Sequence, residues 1–309
     1  MPALINRILP ALGMTWLLCL APYSTAQELE PRSYINVPVG LNFLILGGAY
    51  QDGDMLLDPS LLAEDANMRS KHIGFGYLHS FGLFNRSAKI AVAGSYSDFS
   101  ASGTIDGVPR FREDRGFTDP GIKFSINLLG SPAYTLAEFI KYDKKQFILG
   151  LGLAVGVPLG QYDADRLLNL GFNRWAIKPE VGVSKRLGKW ILEGSLASTL
   201  YTDNDDFSAG KTRQQDPLFS GQIHVVYIIR PGGLWASFDV THFEGGQTTI
   251  DGVERDDRLN NNRYGATLAV PINRQNSIKL YLSTGVNSRR GTEYDLVGLA
   301  WQYRWGDGL

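Results

Sequence analysis

Cysteine is almost missing from this 309-residue chain: the single one, Cys19, falls within the first 26 residues. Residues 27–309 therefore offer no disulfide, no thiolate nucleophile and no thiolate metal ligand. Histidine is scarce too. The four present, His72, His79, His224 and His242, show neither a His-x-x-x-His nor a His-Glu-x-x-His spacing, so no metal centre is marked. His79 adjoins Ser80, but strand neighbours face opposite ways and cannot serve as base and nucleophile. No obligatory cofactor and no enzymatic activity is expected. Nor is there an excess of one charge, since 30 Lys and Arg stand against 31 Asp and Glu, which removes the electrostatic case for a nucleic-acid partner. Long apolar runs are absent beyond the N terminus. The longest, Phe147 to Leu159, is too short for a spanning helix and is broken by Gly150, Gly152 and Gly156. A membrane, if crossed at all, is crossed with strands.

What is present begins with residues 1–26: one positive charge at Arg7, an apolar run from Ile8 to Ala21, then Ser24, Thr25 and Ala26. That order is the pattern of a cleaved secretory signal peptide, with the mature chain starting at Gln27. Pro10 and Pro22 bracket a run shorter than the ~20 apolar residues of a membrane anchor. Leu18 precedes Cys19 where a lipid-attachment signal needs a small residue. Residues 27–309 follow with no linker dividing them.

Alternation at a period of two runs through this mature part. Val297, Leu299, Trp301, Tyr303 and Trp305 share one strand face, while Leu296, Gly298, Ala300, Gln302 and Arg304 share the other. The same pattern sets Ile223, Val225, Tyr227 and Ile229 against Gln222 and His224, and Ile278, Leu280 and Leu282 against Lys279, Tyr281 and Ser283. An aliphatic stripe closing on aromatic residues suits a surface passing from hydrocarbon into an interfacial girdle. About twelve such segments are predicted, an even number, at 40–51, 70–82, 87–100, 117–129, 146–158, 174–186, 189–202, 217–230, 233–245, 262–272, 276–287 and 293–305. Connections alternate long and short, as in an all-β, antiparallel up-and-down transmembrane β-barrel with both termini in the periplasm. The connection Gly130 to Lys145 departs from that rule. Leu136, Phe139 and Ile140 give it helical spacing, compatible with a helix lying on the membrane surface or with an ordinary packed loop helix.

Charges on the lipid face near the bilayer midplane cost roughly 2–4 kcal/mol. Lys89, Lys123, Lys178, Glu180, Glu193, Asp239 and Lys279 should therefore point into the lumen, where they either pair into a bracing network or meet a solute and set selectivity. Gly150, Gly152 and Gly156 would leave room beside them. In the long loops, Thr104-Ile105-Asp106-Gly107 and Thr249-Ile250-Asp251-Gly252 repeat a tight-turn signal and predict two extended hairpins. Asp203, Asp205 and Asp206, with Asp256 and Asp257, lie in loops that would face lipopolysaccharide. Their spacing is not that of a dedicated calcium loop.

Several stretches resemble the outer-membrane family labelled "putative meta-pathway of phenol degradation". They are Phe117-Thr118-Asp119-Pro120-Gly121-Ile122-Lys123, Val157-Pro158-Leu159-Gly160, Asn173-Arg174-Trp175 with Lys178-Pro179-Glu180, and Tyr201 with Asp203-Asn204. The resemblance implies a barrel transporter or channel for aromatic and other hydrophobic compounds. With it come an outer-membrane location, contact with membrane lipid and lipopolysaccharide, a small-molecule solute, and insertion by the outer-membrane assembly machinery. Three other readings compete: a closed structural or adhesive barrel that displays its loops, a barrel-borne lipid-modifying enzyme, and a soluble periplasmic β protein whose apolar faces turn inward.

Overall fold

A computed structural model describes residues 31–56, 63–105, 107–142 and 146–309. The signal-peptide expectation for residues 1–26 lies outside the described residues, as does Asp106 of the first turn repeat.

Twelve antiparallel strands close on themselves. In chain order they are β1 (Leu41–Leu56), β2 (Ala63–Leu83), β3 (Arg86–Ile105), β5 (Gly121–Leu129), β6 (Phe147–Gly156), β7 (Ala176–Leu187), β8 (Trp190–Tyr201), β11 (Leu218–Arg230), β12 (Leu234–Gly245), β15 (Leu259–Pro271), β16 (Asn276–Val286) and β17 (Gly291–Gly306). Each pairs with its chain neighbour, and β1 closes the ring on β17 with Leu46 opposite Trp301. Closure leaves none of these twelve strands as an open edge in the membrane, as hydrocarbon requires because it offers backbone groups no hydrogen-bond partner.

The side-chain faces sort as the alternation predicts. Ile73, Leu196 and Ile223 leave 72%, 66% and 61% of their surface uncovered on the outer wall, values that water would penalise and lipid would not. The outward charges Lys71, Glu244 and Asp295 sit near the long-loop end. At the short-turn end an aromatic belt gathers, with Trp190 4.7 Å from Tyr227 and Tyr303 5.5 Å from Trp305, centroid to centroid. The soluble reading, with apolar faces buried against each other, does not describe this molecule.

Three differences from the predicted pattern have physical causes. First, strands run farther than the predicted segments: β3 continues to Ile105 and pairs with β4 (Val108–Phe117), forming the first of the two hairpins that the turn signal predicts, turning at Gly107 with φ +73°. The second repeat also turns as predicted, with Asp251 and Gly252 at positive φ between β13 (Thr248–Ile250) and β14 (Val253–Glu254). Two further strands, β9 (Asn204–Phe207) and β10 (Lys211–Gln215), join them in a four-stranded sheet β14-β13-β10-β9. Second, the short-turn end of the interior is apolar rather than wet. Phe43, Leu78, Ile191, Val226 and Trp235 are buried there, covered by Ile35 and Val37 of the segment before β1. Third, α1 (Leu136–Lys141) does not lie on the membrane surface. Its Leu136 and Phe139 join the same apolar cluster, and Thr135 with Glu138 forms a reciprocal capping box.

Candidate transport path

The middle of the barrel interior is built from three inward glycines and one chain segment. On β6 and β7, Gly150, Gly152 and Gly182 present no side chain to the lumen. The Tyr34 ring lies in that gap, so close that a methyl at Gly150 or Gly182 would collide with it. Two of the three glycines expected to leave room are thus occupied, while Gly156 faces Ala176 instead.

Around Tyr34, residues 31–40 enter the barrel from the turn end and are tied to its wall by polar groups. The Tyr34 hydroxyl donates to Glu180, which pairs with Lys123 at 3.6 Å. The Arg32 amide donates to Glu193, which also accepts from Ser184 Oγ at 2.9 Å. The Arg32 guanidinium lies 5.0 Å above the Trp235 ring. Lys89 Nζ donates to the Ser33 carbonyl at 2.6 Å, and Ser80 Oγ and Ser87 Oγ donate to the carbonyls of Pro38 and Val37 at 2.7 and 3.1 Å. The α1 connection closes from below, with the Val39 amide bonded to the Tyr134 carbonyl at 2.9 Å.

All seven predicted lumen residues project inward, and the structure sorts them into three groups. Lys89, Lys123, Glu180 and Glu193 hold the N-terminal segment. Asp239 is fully buried in the wall, accepting from Ser237 at 3.0 Å and meeting His224 Nδ1 at 2.8 Å. Lys279, 1% exposed, belongs to the wall as well; its Nζ sits 5.8 Å from the Tyr281 ring. Lys178 is half-buried, one inward position nearer the loop end than Glu180.

Sequence reasoning missed Tyr34 and Arg32. The signal was a short stretch between Pro31 and Pro38, too broken to be a strand, combined with several inward glycines on adjacent strands. It also missed His72, which bridges Ser70 Oγ at 2.8 Å and Ser97 Oγ at 2.5 Å. Among the described residues no carboxylate backs that imidazole, and in the His224–Asp239 pair the other ring nitrogen meets Gln222 at 3.1 Å rather than a serine. Neither group has the nucleophile, base and orienting acid of a hydrolase together. His242 faces outward and bonds Asn262, and His79 does the same with Asn42.

Above the plug, at the loop end, a cavity of about 580 Å³ remains open inside the ring of outer loops; a smaller one of about 230 Å³ lies below, beside Arg32, Ile35 and Phe139. The stretches that carry the family resemblance meet at the rim of the upper cavity. Asp119 accepts from the amides of Gly160 and Phe172, both at 2.8 Å, and so staples the long β6–β7 connection to the start of β5. Gly160 is needed because any side chain there would strike the Asp119 backbone. Thr118 bonds Ser95 at 2.8 Å. Asn173, at φ +52°, reaches Asn204, which also donates to Tyr162 and to the Phe172 carbonyl. This knot delivers Arg174 into the cavity, its guanidinium 4.4 Å above the Tyr201 ring. Burial, with neighbouring Arg213 acting in the same direction, lowers the Arg174 guanidinium to about 10, so it remains charged at neutral pH. Of the loop carboxylates, Asp256 pairs with Arg289 and Arg290, Asp257 holds Thr248, and Asp203 accepts from Gln214. Among the described residues they form no metal cluster.

A closed twelve-stranded antiparallel ring, apolar outside and polar within, threaded by its own N-terminal segment, defines a transmembrane β-barrel of the outer-membrane type. The chain belongs to the family described as "Putative MetA-pathway of phenol degradation", which matches residues 65–301. Its fold is similar to that of the COG4313 outer membrane channel from Pseudomonas putida F1, at 23% identity over 90% of this chain and 100% of that one, with a TM-score of 0.74. It is also similar to the transport unit of the autotransporter AIDA-I from Escherichia coli, at 10% identity over 92% and 95% of the two chains, with a TM-score of 0.54. No curated protein matches the chain.

Proposed function

We propose that the protein is a non-enzymatic outer-membrane channel through which small solutes, aromatic or otherwise partly apolar, pass by diffusion. It is exported by the signal peptide at residues 1–26 and inserted by the outer-membrane assembly machinery, and its loops face lipopolysaccharide. The observation that carries this reading is the open cavity of about 580 Å³ at the loop end, separated from the turn end by residues 31–40 and the apolar cluster that they form with the wall and α1. In this reading Lys89, Lys123, Glu180 and Glu193, which lie outside the lining of that cavity, act on the solute through the segment they hold, and Lys178 stands one inward position nearer the loop end than Glu180. A channel-like fold in a relative of similar length supports the reading.

One observation favours a second reading. Residues 31–40 are bonded to the wall at several points, so a permanently closed barrel displaying its loops would look the same. Purified protein in planar bilayers and in liposomes separates the two. The channel reading expects stepwise conductance and solute-driven liposome swelling above protein-free controls. A conductance equal to that of bare membrane would favour the closed barrel.

A further inference from the structure

The upper cavity is unbalanced in charge. Arg174, Lys211, Arg213 and Arg255 line it, and the carboxylate among them is Asp257, which accepts from the amide and hydroxyl of Thr248. No carboxylate lies within 4 Å of Arg174, Arg213 or Arg255 among the described residues. Each also keeps a buried nitrogen without a hydrogen-bond partner: Nη1 of Arg174, Nε of Arg213 and Nε of Arg255. Arg174 lines the cavity and is 5% exposed, so it is a buried cation rather than a solvated one.

The three line the same cavity and are tied together through β10 and its partner strand. Arg174 Nη2 donates to Gln215, two residues along β10 from Arg213 and on the same face. Gln215 pairs in register with Thr248, whose carbonyl accepts from the Arg255 amide at 2.8 Å. Phe207 lies 5.1 Å under the Arg213 guanidinium, and Phe99, Leu168 and Leu170 cluster on the wall. Guanidinium groups left unpaired in a shielded place are costly unless an anion completes them, and a planar carboxylate matches their donor geometry. An apolar wall beside them suits an apolar body on the same molecule.

We propose that this cavity is a recognition site for an organic monoanion, a carboxylate carried on an apolar body, with Arg174, Arg213 and Arg255 taking the carboxylate and the Phe99–Leu170 wall taking the body. The inference deepens the channel reading of the same cavity and rests on it. Benzoate and its neutral isostere benzamide are suitable probes, with inorganic phosphate as the bare anion, measured by calorimetry on the full chain in detergent. Benzoate should bind at least about tenfold more tightly than either, and Arg174→Gln should weaken benzoate by about tenfold while leaving benzamide unchanged. Should Arg174→Gln fail to give a heat-modifiable, folded barrel, Arg255→Gln on the outer hairpin makes the same test with a smaller expected loss. Equal binding of benzamide, equal binding of phosphate, or a folded variant that binds benzoate as the parent does would each overturn the proposal. Flux is read separately: benzoate binding without any liposome flux sustains the anion site and contradicts the channel, whereas flux with no benzoate binding does the reverse.

Discussion

At the scale of single residues, the barrel interior is decided by where side chains are missing. Gly182 leaves the space into which Tyr34 fits, and its own backbone is ordinary for a strand; the demand is for close approach, not for a special φ. Gly182→Val fills that space and should displace the Tyr34 ring, raising single-channel conductance while the heat-modifiable gel shift of a folded barrel is retained. Outside, Asp256 is clasped by Arg289 at 2.6 Å and Arg290 at 2.9 Å. The hydrogen bond from Arg290, with the charges of both arginines, holds its carboxyl below the usual aspartate value. A depressed carboxyl stabilises its loop fully above the unfolded value near 4 and loses that contribution as pH falls through the folded value. Amide exchange at Arg289 should therefore accelerate only below about pH 4, and Asp256→Asn should show the faster exchange already at neutral pH.

At the scale of elements, the alternation was enough to place every spanning strand, because in a barrel each strand meets lipid on one side and the polar lumen on the other. The stripe Val297, Leu299 and Trp301 faces outward and Gln302 and Arg304 face inward, as the sequence pattern put them, though the inward pair is buried rather than wet. Leu299, opposite Leu280 and Gly48 in the middle of the wall, is 54% exposed to lipid. Leu299→Arg should cost about 2–4 kcal/mol of folding free energy, measured by urea titration in bilayers, whereas Gln302→Arg on the inner face should cost less. What the pattern could not show was how far strands run past the membrane. Both β4 and the small sheet of β9, β10, β13 and β14 are polar on each face, so no stripe announces them; only the turn at Asp251-Gly252 and its counterpart at Gly107 did. The helix α1 was legible from its spacing, but its location was not, since Leu136 and Phe139 suit a membrane surface and a barrel mouth equally well.

At the scale of the whole molecule, the lumen charges were legible as inward-facing and illegible as a set. Their partners come from Arg32, Ser33 and Tyr34, more than a hundred residues away from Glu180 and Glu193 along the chain. A segment without regular structure leaves no periodicity to read. The family stretches were legible as landmarks, and the structure supplies their reason: Asp119, Gly160, Asn173 and Asn204 converge to fold the outer loops over one cavity and to carry Arg174 into it. The central proposal is that this barrel is a passage whose closure depends on residues 31–40 of its own chain. Planar-bilayer recordings of the full chain beside one lacking residues 31–38 test it most directly: the shortened chain should conduct severalfold more, with fewer closures, while both show the same folded gel shift. If the shortened, folded barrel conducts no more than bare membrane, the molecule is not a channel.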